Sequence, residues 1–392
     1  MPYRLTILSL STIHQDGRVL REIAFAAREG YEVTVVGWGR LGQDAPRVTM
    51  RPVQRIILPP AKRAIQAARM LGGRITPRAF EQWYWAKPDH RQALQAVMES
   101  RPDLIHANEA IALPIAIEAA RRTGAKVLFD AHEYSPDHRA NTLAWRIMAQ
   151  PLYTYIIARY APQADAMITV EAHIARRYEE TFGIPHVDVI LNAPAYQPMP
   201  FHPVHPQRIR IMHHGGSVRE RRMEVMIRAL ALTDERYSLD FMLMPDSGGG
   251  YLNELKRLAQ SEAPGRIRFL DPVTPANIVR TINPYDMGLF LIPPENFSYA
   301  MSLPNKFFEF IMAGLAVAVG PSPAMAAIVR EYGLGVVAGD FEPAAMAERL
   351  NALTPEAIDA MKQRALDAAK TLNAEQEMAK LQAIYARLLA SS

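Results

Sequence analysis

The chain has 392 residues, of which 49% are hydrophobic and 21% are charged, and its formal net charge is +4. This length exceeds one ordinary core, so two domains of about 200 residues each are expected. The absence of cysteine excludes disulfides and thiolate chemistry and favours a cytoplasmic protein. The apolar stretch in residues 1–11 is too short for a signal peptide, and no run reaches about 18 apolar residues, so neither export nor a membrane span is expected.

The first half of the chain alternates predicted strands and helices. Val19, Leu20 and Ile23 recur at helical spacing and predict a helix that stops at Gly30. The predicted strands are RLTILSL, YEVTVVGW, PDLIHANE, AKVLFDAHE and ADAMITV. Short apolar strands with helices between them indicate a parallel sheet covered on both faces.

A basic stretch lies between the second and third of these strands. Residues 45–80 contain no acid, and their basic residues are Arg47, Arg51, Arg55, Lys62, Arg63, Arg69, Arg74 and Arg78. The stretch is either a solvated loop and helix face or a patch for an anionic partner, such as lipid headgroups or an anionic acceptor. Nucleic acid is not expected as a partner, because no recognised binding module and no array of aromatic residues is present.

A proline-rich segment, LNAPAYQPMPFHPVHP, separates the two halves, because proline fixes φ and removes a hydrogen-bond donor. A second alternation of strands and helices follows, and residues 355–389 have a helical composition throughout. We therefore predict two doubly wound, Rossmann-like α/β domains, over residues 1–195 and 196–372, and a final helix over 373–392. Ligands of such sheets bind at the carboxyl ends of the strands, so a cleft between the domains is the expected site.

The segment SLPNKFFEFIMAGLAVAVG carries two charges in an otherwise apolar helix. Ser302 can cap this helix and Pro304 suits its first turn, so the helix start is a ready phosphate site. Lys306 lies in the first turn, and Glu309 shares its face. The lysine can meet a diphosphate and the carboxylate can accept the hydroxyls of a ribose. The alternative is an ordinary surface ion pair.

The segment HHGGSVRERRMEV places two glycines between a strand and a helix. Gly215 and Gly216 allow a ligand to approach the backbone closely. Arg219, Arg221 and Arg222 follow, where they can clamp a diphosphate. A glycine turn with solvated arginines is the alternative.

The segment FDAHEYS places Asp130, His132 and Glu133 directly after a buried strand. His132 can bind a sugar hydroxyl or act as an acid or base, although a purely structural histidine stays open. Asp16, Arg18 and Arg21, after the first strand, are expected to line the same cleft, with an external position of the two arginines as the alternative. That loop has one glycine and no G-x-G-x-x-G, which argues against a nicotinamide or flavin dinucleotide.

Several familiar catalytic motifs are absent. The sequence has no Walker loop, no H-E-x-x-H and no G-x-S-x-G. It also has no D-x-D pair, the carboxylate pair that often chelates a divalent cation beside a nucleotide diphosphate. We therefore expect no metal and no cofactor, with the charge of a leaving diphosphate met by Lys306, an arginine and helix dipoles.

Four segments together resemble the retaining glycosyltransferase family 4, which has the GT-B fold, and the resemblance covers nearly the whole chain. They are DGRVLREIAFAAREGYEVTVVG, LFDAHEY, HHGGSVRERRMEVMIRAL and SLPNKFFEFIMAGLAVAV. The resemblance implies a hexosyltransferase-type enzyme that moves a sugar, with retention, from a nucleotide-diphosphate donor to an acceptor hydroxyl. The product would belong to glycan, lipid-linked or polysaccharide biosynthesis. It also implies an N-terminal acceptor domain, a C-terminal donor domain and a final helix that crosses back to the N-terminal domain.

The resemblance also assigns roles. Glu309 would bind the ribose, Lys306 and Arg221 would neutralise the diphosphate, and His132 would contact the transferred sugar. The other residues assigned to the donor are Gly215, Gly216, Ser302 and Asn305. The charge of the basic stretch, and not the resemblance, predicts that the acceptor domain attaches to the inner face of the membrane.

The chain departs from the family pattern at two places. The family has an arginine and a lysine after the glycine turn, whereas RERR offers arginines but no lysine. The second departure is a missing glutamate. The family has two glutamates eight residues apart; Glu309 matches the second, but Met301 stands in place of the first. Asn296, Ser298 and Tyr299 are the expected replacements for the lost sugar contact. Two alternatives stay open: a nucleotide-sugar epimerase of the same fold, and a degenerate, non-catalytic subunit that binds nucleotide sugar.

Overall fold

The computed structural model describes residues 2–42, 46–56, 58–138, 140–246 and 248–390. The chain forms two compact units. The first comprises Met1–Ile190, Asn296–Ser298 and Met378–Ser392, and the second comprises Leu191–Glu295 and Tyr299–Glu377. Among the described residues, every helix is too short or too polar to cross a membrane.

The first unit is built on one parallel sheet. Its strands are β1 (Arg4–Thr12), β2 (Glu32–Trp38), β3 (Val48–Val53), β4 (Leu104–Asn108), β5 (Lys126–Asp130), β6 (Ala166–Thr169) and β7 (Asp188–Val189). They lie in the order β3-β2-β1-β4-β5-β6-β7. The sequence patterns do not predict the two edge strands. Strand β3 contains Pro52 and is mostly half-exposed, so it lacks an apolar run, and β7 has only two residues.

Helices connect these strands. They are α1 (Gly17–Arg28), α2 (Pro60–Gly72), α3 (Pro77–Trp85), α4 (Pro88–Glu99), α5 (Leu113–Thr123), α6 (Gln150–Tyr160) and α7 (Ala172–Phe182). The start of α1 follows from local chemistry, because the Asp16 carboxylate accepts the Val19 backbone N–H. The end of α5 also follows from local chemistry, because Gly124 takes the left-handed conformation at φ +78° and ends the helix.

The second unit repeats this plan. Its strands are β8 (Ile209–Gly216), β9 (Tyr237–Met244), β10 (Ile267–Leu270), β11 (Met287–Phe290), β12 (Ala316–Val319) and β13 (Gly335–Val337). They are parallel and lie in the order β10-β9-β8-β11-β12-β13. Its helices are α8 (Glu224–Ala231), α9 (Gly250–Glu262), α10 (Ile278–Ile282), α12 (Asn305–Met312), α13 (Pro323–Tyr332), α14 (Pro343–Asn351) and α15 (Pro355–Ala369). The predicted α/β class with two doubly wound sheets is confirmed.

Two helices contain residues of both units. The short α11 (Phe297–Ala300) is one, and the long α16 (Ala374–Ala390) is the other. From Met378 onward, α16 packs into the core of the first unit, where Leu381 and Tyr385 are fully buried beside strand residues such as Ile7. The expected continuous helix over 355–389 is interrupted between Ala369 and Ala374, where Asn373 instead caps the start of α16 by accepting the Gln376 N–H.

Each sheet reverses its order at one place, next to its first strand. In the first unit this place lies between β1 and β4, and in the second it lies between β8 and β11. The connections leave on opposite faces there, which opens a crevice at the carboxyl ends of the strands. Asn108 ends β4 and Gly216 ends β8, so the candidate site residues are found at these two places.

Candidate functional site

The glycine turn at the end of β8 is shaped for close approach. Gly215 has φ +129°, a conformation that residues with a side chain rarely adopt. A Cβ at this position would lie 2.7 Å from Lys306 Nζ, whereas one at Gly216 would meet nothing closer than 3.6 Å. The backbone conformation and the lysine together explain why glycine stands at position 215.

Lys306 is a buried cation in the second unit. Its side chain is 8% exposed, and Nζ makes no hydrogen bond with any residue that the structure describes. Burial, and then the charge of Arg221, lowers the pKa of Lys306 to about 7, against the opposing charge of Glu309. A buried donor without an acceptor destabilises the fold, and an anion beside Nζ would remove that penalty.

Only one of the three arginines after the glycine turn faces it. Arg221 Nη1 lies 3.4 Å from the Gly216 carbonyl, at the end of a short 3-10 helix. Arg219 instead pairs with Glu254 at 2.7 Å, and Arg222 lies 4.0 Å from Glu224. Arg221 and Lys306 therefore form a pair of cations beside Gly215, while the other two arginines lie on the surface.

Glu309 lies one turn after Lys306 and is 16% exposed. Its Oε2 is 3.4 Å from His214 Nε2. Burial, and then the charge of Lys306, lowers the pKa of His214 to about 3, so the ring is neutral and does not form an ion pair with Glu309. The sequence analysis missed His214; its position beside the glycine turn, at the end of an apolar strand, was the available signal.

The start of α12 differs from the prediction. Pro304 is the N-cap and no side chain caps the helix, whereas the Ser302 hydroxyl donates to the Tyr299 carbonyl at 3.0 Å. The prediction that Ser302 caps this helix is wrong, because the helix begins three residues later. Asn305 accepts a hydrogen bond from Asn192 at 2.6 Å. The uncapped start leaves backbone N–H groups that can bind an anion.

In the first unit, His132 is held by its neighbours on three sides. Its backbone is left-handed, with φ +54°. Its N–H donates to Asp130 Oδ1 at 3.1 Å, and its carbonyl accepts from the Thr169 hydroxyl at 2.5 Å. Its ring Nε2 lies 2.9 Å from Asn108 Oδ1. An unfavourable backbone conformation that is fixed by so many contacts often marks a functional position.

Arg18 does not line an open surface, contrary to the prediction. It is 6% exposed, and its Nε lies 2.6 Å from Asp130 and 3.3 Å from Glu22. Its Nη1 donates to the Ile190 carbonyl at 3.0 Å. Arg18 therefore neutralises buried carboxylates, because leaving them unpaired inside the unit would be costly. Asp16, predicted beside it, has a structural task as the cap of α1.

Three buried groups could together hold a metal ion: Glu22, His106 and Asp130. Arg18 already places its guanidinium against both carboxylates. Burial raises the pKa of Glu22 to about 7, and His106 and Arg18 oppose that shift. His106 Nδ1 lies 2.7 Å from the hydroxyl of Tyr385 on α16. These contacts describe a self-neutralised polar cluster inside the core.

Glu109 is a second residue with a left-handed backbone, and it contacts Asp130. It follows β4, has φ +66°, and donates its N–H to the Asp130 carbonyl at 2.8 Å. Although its side chain is exposed, desolvation and then the charges of Asp16 and Glu133 raise its pKa to about 7. Glu133 is 42% exposed and lies 3.8 Å from His138. The sequence analysis missed Glu109, although it follows a strand as His132 does.

The three expected replacements for the lost sugar contact do not share one unit. Asn296 and Ser298 group with the first unit, and the Ser298 hydroxyl donates to the Tyr134 carbonyl at 3.2 Å. Tyr299 belongs to the second unit and is 49% exposed. Met301 lies in the turn before α12.

Comparison with known proteins gives a family match over part of the chain. Residues 17–193 match the model of Glycosyltransferase Family 4. No curated protein matches the chain in sequence.

Solved structures match the fold over its full length. Sucrose-phosphate synthase from Thermosynechococcus elongatus superposes with a TM-score of 0.74 at 14% identity, with 100% of both chains covered. A glycosyltransferase from Rickettsia africae gives a TM-score of 0.70 at 12% identity, again with 100% of both chains covered. HepE from Anabaena, solved with UDP-glucose, gives 0.66 at 16% identity, covering 97% of this chain and 100% of that one. The predicted GT-B fold class is confirmed.

Proposed function

We propose that the chain, whose residues 17–193 are similar to the model of Glycosyltransferase Family 4, is a glycosyltransferase and that it moves a hexosyl group from a nucleotide-diphosphate donor to an acceptor hydroxyl. The proposal includes retention of configuration and no requirement for a metal ion or other cofactor. The acceptor is a glycan or a lipid-linked saccharide at the cytoplasmic face of a membrane. Because one similar structure holds UDP-glucose, UDP-hexoses are the first donors to test.

The observation that carries the proposal is the unpartnered ammonium of Lys306. A diphosphate at Gly215 would meet Nζ, the Arg221 guanidinium and the uncapped start of α12 together. These are two positive charges and a set of N–H donors, which suit the charge of a diphosphate. Glu309, on the same face of α12, is the acceptor for the ribose hydroxyls.

The proposed reaction proceeds on one face of the sugar. The bond between the anomeric carbon and the diphosphate oxygen breaks, and the acceptor oxygen bonds to that carbon from the same side. The acceptor proton passes to the departing diphosphate, so the products are the glycoside and the nucleoside diphosphate. Lys306 and Arg221 stabilise the charge that develops on the leaving oxygen, and such stabilisation lowers barriers most in a site shielded from water.

His132 is proposed to contact a hydroxyl of the transferred sugar. Burial lowers its pKa, although Asp130 opposes the shift, so the ring is neutral at pH 7. A neutral ring can exchange hydrogen bonds with hydroxyls but does not compete for the diphosphate.

Ligand-observed NMR with a panel of UDP-, GDP-, dTDP- and ADP-sugars tests the donor site. We expect one donor to bind and to lose binding in Lys306→Met and Glu309→Gln. His132→Gln should retain donor binding and lose transfer. A protein that neither binds nor hydrolyses any donor in the panel would falsify the assignment.

The membrane surface that we propose includes fewer residues than the predicted stretch 45–80. Within that stretch, Ala45 and Ile57 lie outside the described residues. Three basic residues of that stretch have partners within the unit: Arg47 with the Gly30 carbonyl, Arg51 with Glu99 and Arg55 with the Trp38 ring. The remaining basic residues lie on α2, α3 and the turn between them. We define these residues, 60–78, as the basic hairpin.

The basic hairpin exposes both charge and apolar surface. No residue of α2 is buried. Ile65, Leu71 and Ile75 are 53%, 46% and 90% exposed, next to the exposed cations Lys62 and Arg74. Exposed isoleucine and leucine among cations and without acids suit the interface of an anionic bilayer.

Liposome flotation tests this surface. Binding to vesicles with phosphatidylserine should exceed binding to neutral vesicles and fall with salt. The double variant Lys62→Glu/Arg74→Glu should float less, whereas Arg330→Glu/Arg349→Glu, with exposed arginines of the second unit, should float normally. Equal flotation of the two double variants would count against the basic hairpin.

A further inference from the structure

The hydrogen bond between His132 and Asn108 leaves open which ring nitrogen carries the proton. Asn108 is fully buried at the end of β4, and its Oδ1 lies 2.9 Å from His132 Nε2. Its Nδ2 has no hydrogen-bond partner among the described residues. With this amide orientation Nε2 must donate. The reversed amide would donate to an unprotonated Nε2 and leave the buried oxygen without a donor.

Asp130 decides between the two arrangements. Its Oδ2 lies 3.6 Å from His132 Nε2. Burial by itself raises the pKa of Asp130, but Arg18 and the neighbouring histidines outweigh burial and lower it, so the carboxylate is charged at neutral pH. A negative oxygen attracts an N–H and repels a ring lone pair. The proton therefore belongs on Nε2, between the Asn108 and Asp130 oxygens.

The other ring nitrogen, Nδ1, then carries a lone pair and no proton. Nδ1 of His132 makes no hydrogen bond with any part of the chain that the structure describes, and the side chain is 18% exposed. The charged and titratable groups around the ring are Asp130 at the end of β5, Asp16 at the N-cap of α1, Arg18 in the first turn of α1, and His106 on β4. The nearest of these, Asp130, is on the Nε2 side.

We propose that Asn108 and Asp130 are positioning residues that hold His132 in the Nε2-protonated form, so that Nδ1 accepts a hydrogen bond from a hydroxyl of the bound sugar or acceptor. The inference rests on the proposed function for the identity of that hydroxyl. A lone pair at Nδ1 selects a group that donates, which is a hydroxyl and not a phosphate oxygen. The left-handed backbone of His132, held by Asp130 and Thr169, keeps the ring in this orientation.

The tautomer can be read directly by NMR of protein labelled with ¹⁵N-histidine, because protonated and unprotonated ring nitrogens differ strongly in chemical shift. His132→Gln identifies the His132 signals. We expect a protonated Nε2 and an unprotonated Nδ1 in the wild-type protein at pH 7 to 8. A ring protonated at Nδ1, or an even mixture, overturns the inference.

Two substitutions of Asn108 test the cause. Asn108→Ala removes the acceptor, and Asn108→Leu removes it while nearly keeping the side-chain volume, in case alanine unfolds the unit. Either should shift the ring towards a tautomer mixture and lower kcat about 10-fold, with little change in the donor KM. The matched control is Asn253→Ala, an exposed asparagine on α9. An unchanged tautomer in a folded Asn108 variant would contradict the assignment of Asn108.

The tautomer of His132 and the proposed transferase function can be tested independently of each other. Failure of the transferase assignment appears as absence of donor binding at Lys306, and the tautomer measurement on the wild-type protein stands without any substrate. If transfer occurs and His132→Gln transfers at the full rate, the hydroxyl contact at Nδ1 is refuted even with the expected tautomer.

Discussion

Each unit has a buried cation near its candidate site residues, and the two cations differ in whether they have a partner. In the first unit, Arg18 lies against Asp130 and Glu22, so the cluster beneath His132 satisfies most of its own charge. In the second unit, Lys306 is buried beside a second cation, Arg221, and its Nζ has no acceptor among the described residues. The paired cluster around Arg18 holds the loop with His132 in place. The unpaired Lys306 destabilises the protein by itself, and a bound anion would remove this destabilisation.

This difference makes two similar substitutions informative. Replacing a buried cation by methionine should destabilise the unit where the cation is paired, and it should stabilise the unit where the cation is unpaired. For donor binding the order should be reversed: replacing the unpaired cation should weaken binding more than replacing the paired one. The predictions follow from the largest expected effect to the smallest.

Arg18→Met should lower the free energy of unfolding of the first unit by about 3–5 kcal/mol, because it leaves Asp130 and Glu22 buried without their counter-charge. Urea unfolding followed by circular dichroism measures the effect. Arg176→Met, an exposed arginine on α7, is the matched control and should change stability by less than about 0.5 kcal/mol. Equal stability of the two variants would show that the buried cluster does not need Arg18.

Lys306→Met should lower kcat/KM about 10²–10³-fold, the usual loss when a donor to the developing charge is removed. Without ligand the same variant should melt at a higher temperature than the wild-type protein, because an unpaired buried ammonium is gone. Steady-state kinetics and thermal unfolding measure the two effects. A variant that lost both activity and stability would contradict the picture of an unpaired cation.

Gly215→Ala should weaken donor binding about 10-fold or more, because a Cβ would displace Lys306 Nζ and would strain the backbone at φ +129°. Calorimetric titration with the nucleoside diphosphate measures the loss. Gly124→Ala is the control: it carries the same kind of strain at φ +78°, with nothing within 4 Å of the added Cβ. The control should lose stability and keep donor affinity.

The pH dependence of stability should carry the signature of Lys306. Its pKa is lowered to about 7 in the folded chain, whereas the unfolded lysine keeps its ordinary pKa of 10.5. Between these values the unfolded state binds more protons, so the contribution of Lys306 to stability rises with pH. The stability advantage of Lys306→Met should therefore shrink from pH 7 to pH 10. An advantage that stayed constant would place the pKa of Lys306 near its ordinary value.

Local patterns in the sequence were sufficient for the architecture and for part of the site. Alternating apolar strands and helices predicted the two sheets. The edge strand β3 was not predicted, because it contains Pro52, is mostly half-exposed and has no apolar run. The glycines at the end of β8 and the lysine in the first turn of α12 were predicted as a pair. The helix start was misplaced because Ser302, a good cap by type, instead hydrogen-bonds to Tyr299.

The sequence alone determined that Gly215, Lys306 and Glu309 would come near the carboxyl end of a strand, because helix periodicity and strand order are local properties. Only the tertiary structure decided which charges find partners. Arg18 and Lys306 both lie in the first turn of a helix, yet Arg18 is paired and Lys306 has no partner among the described residues. Pairing depends on Asp130, 112 residues away from Arg18 in sequence, and the fold alone sets that distance.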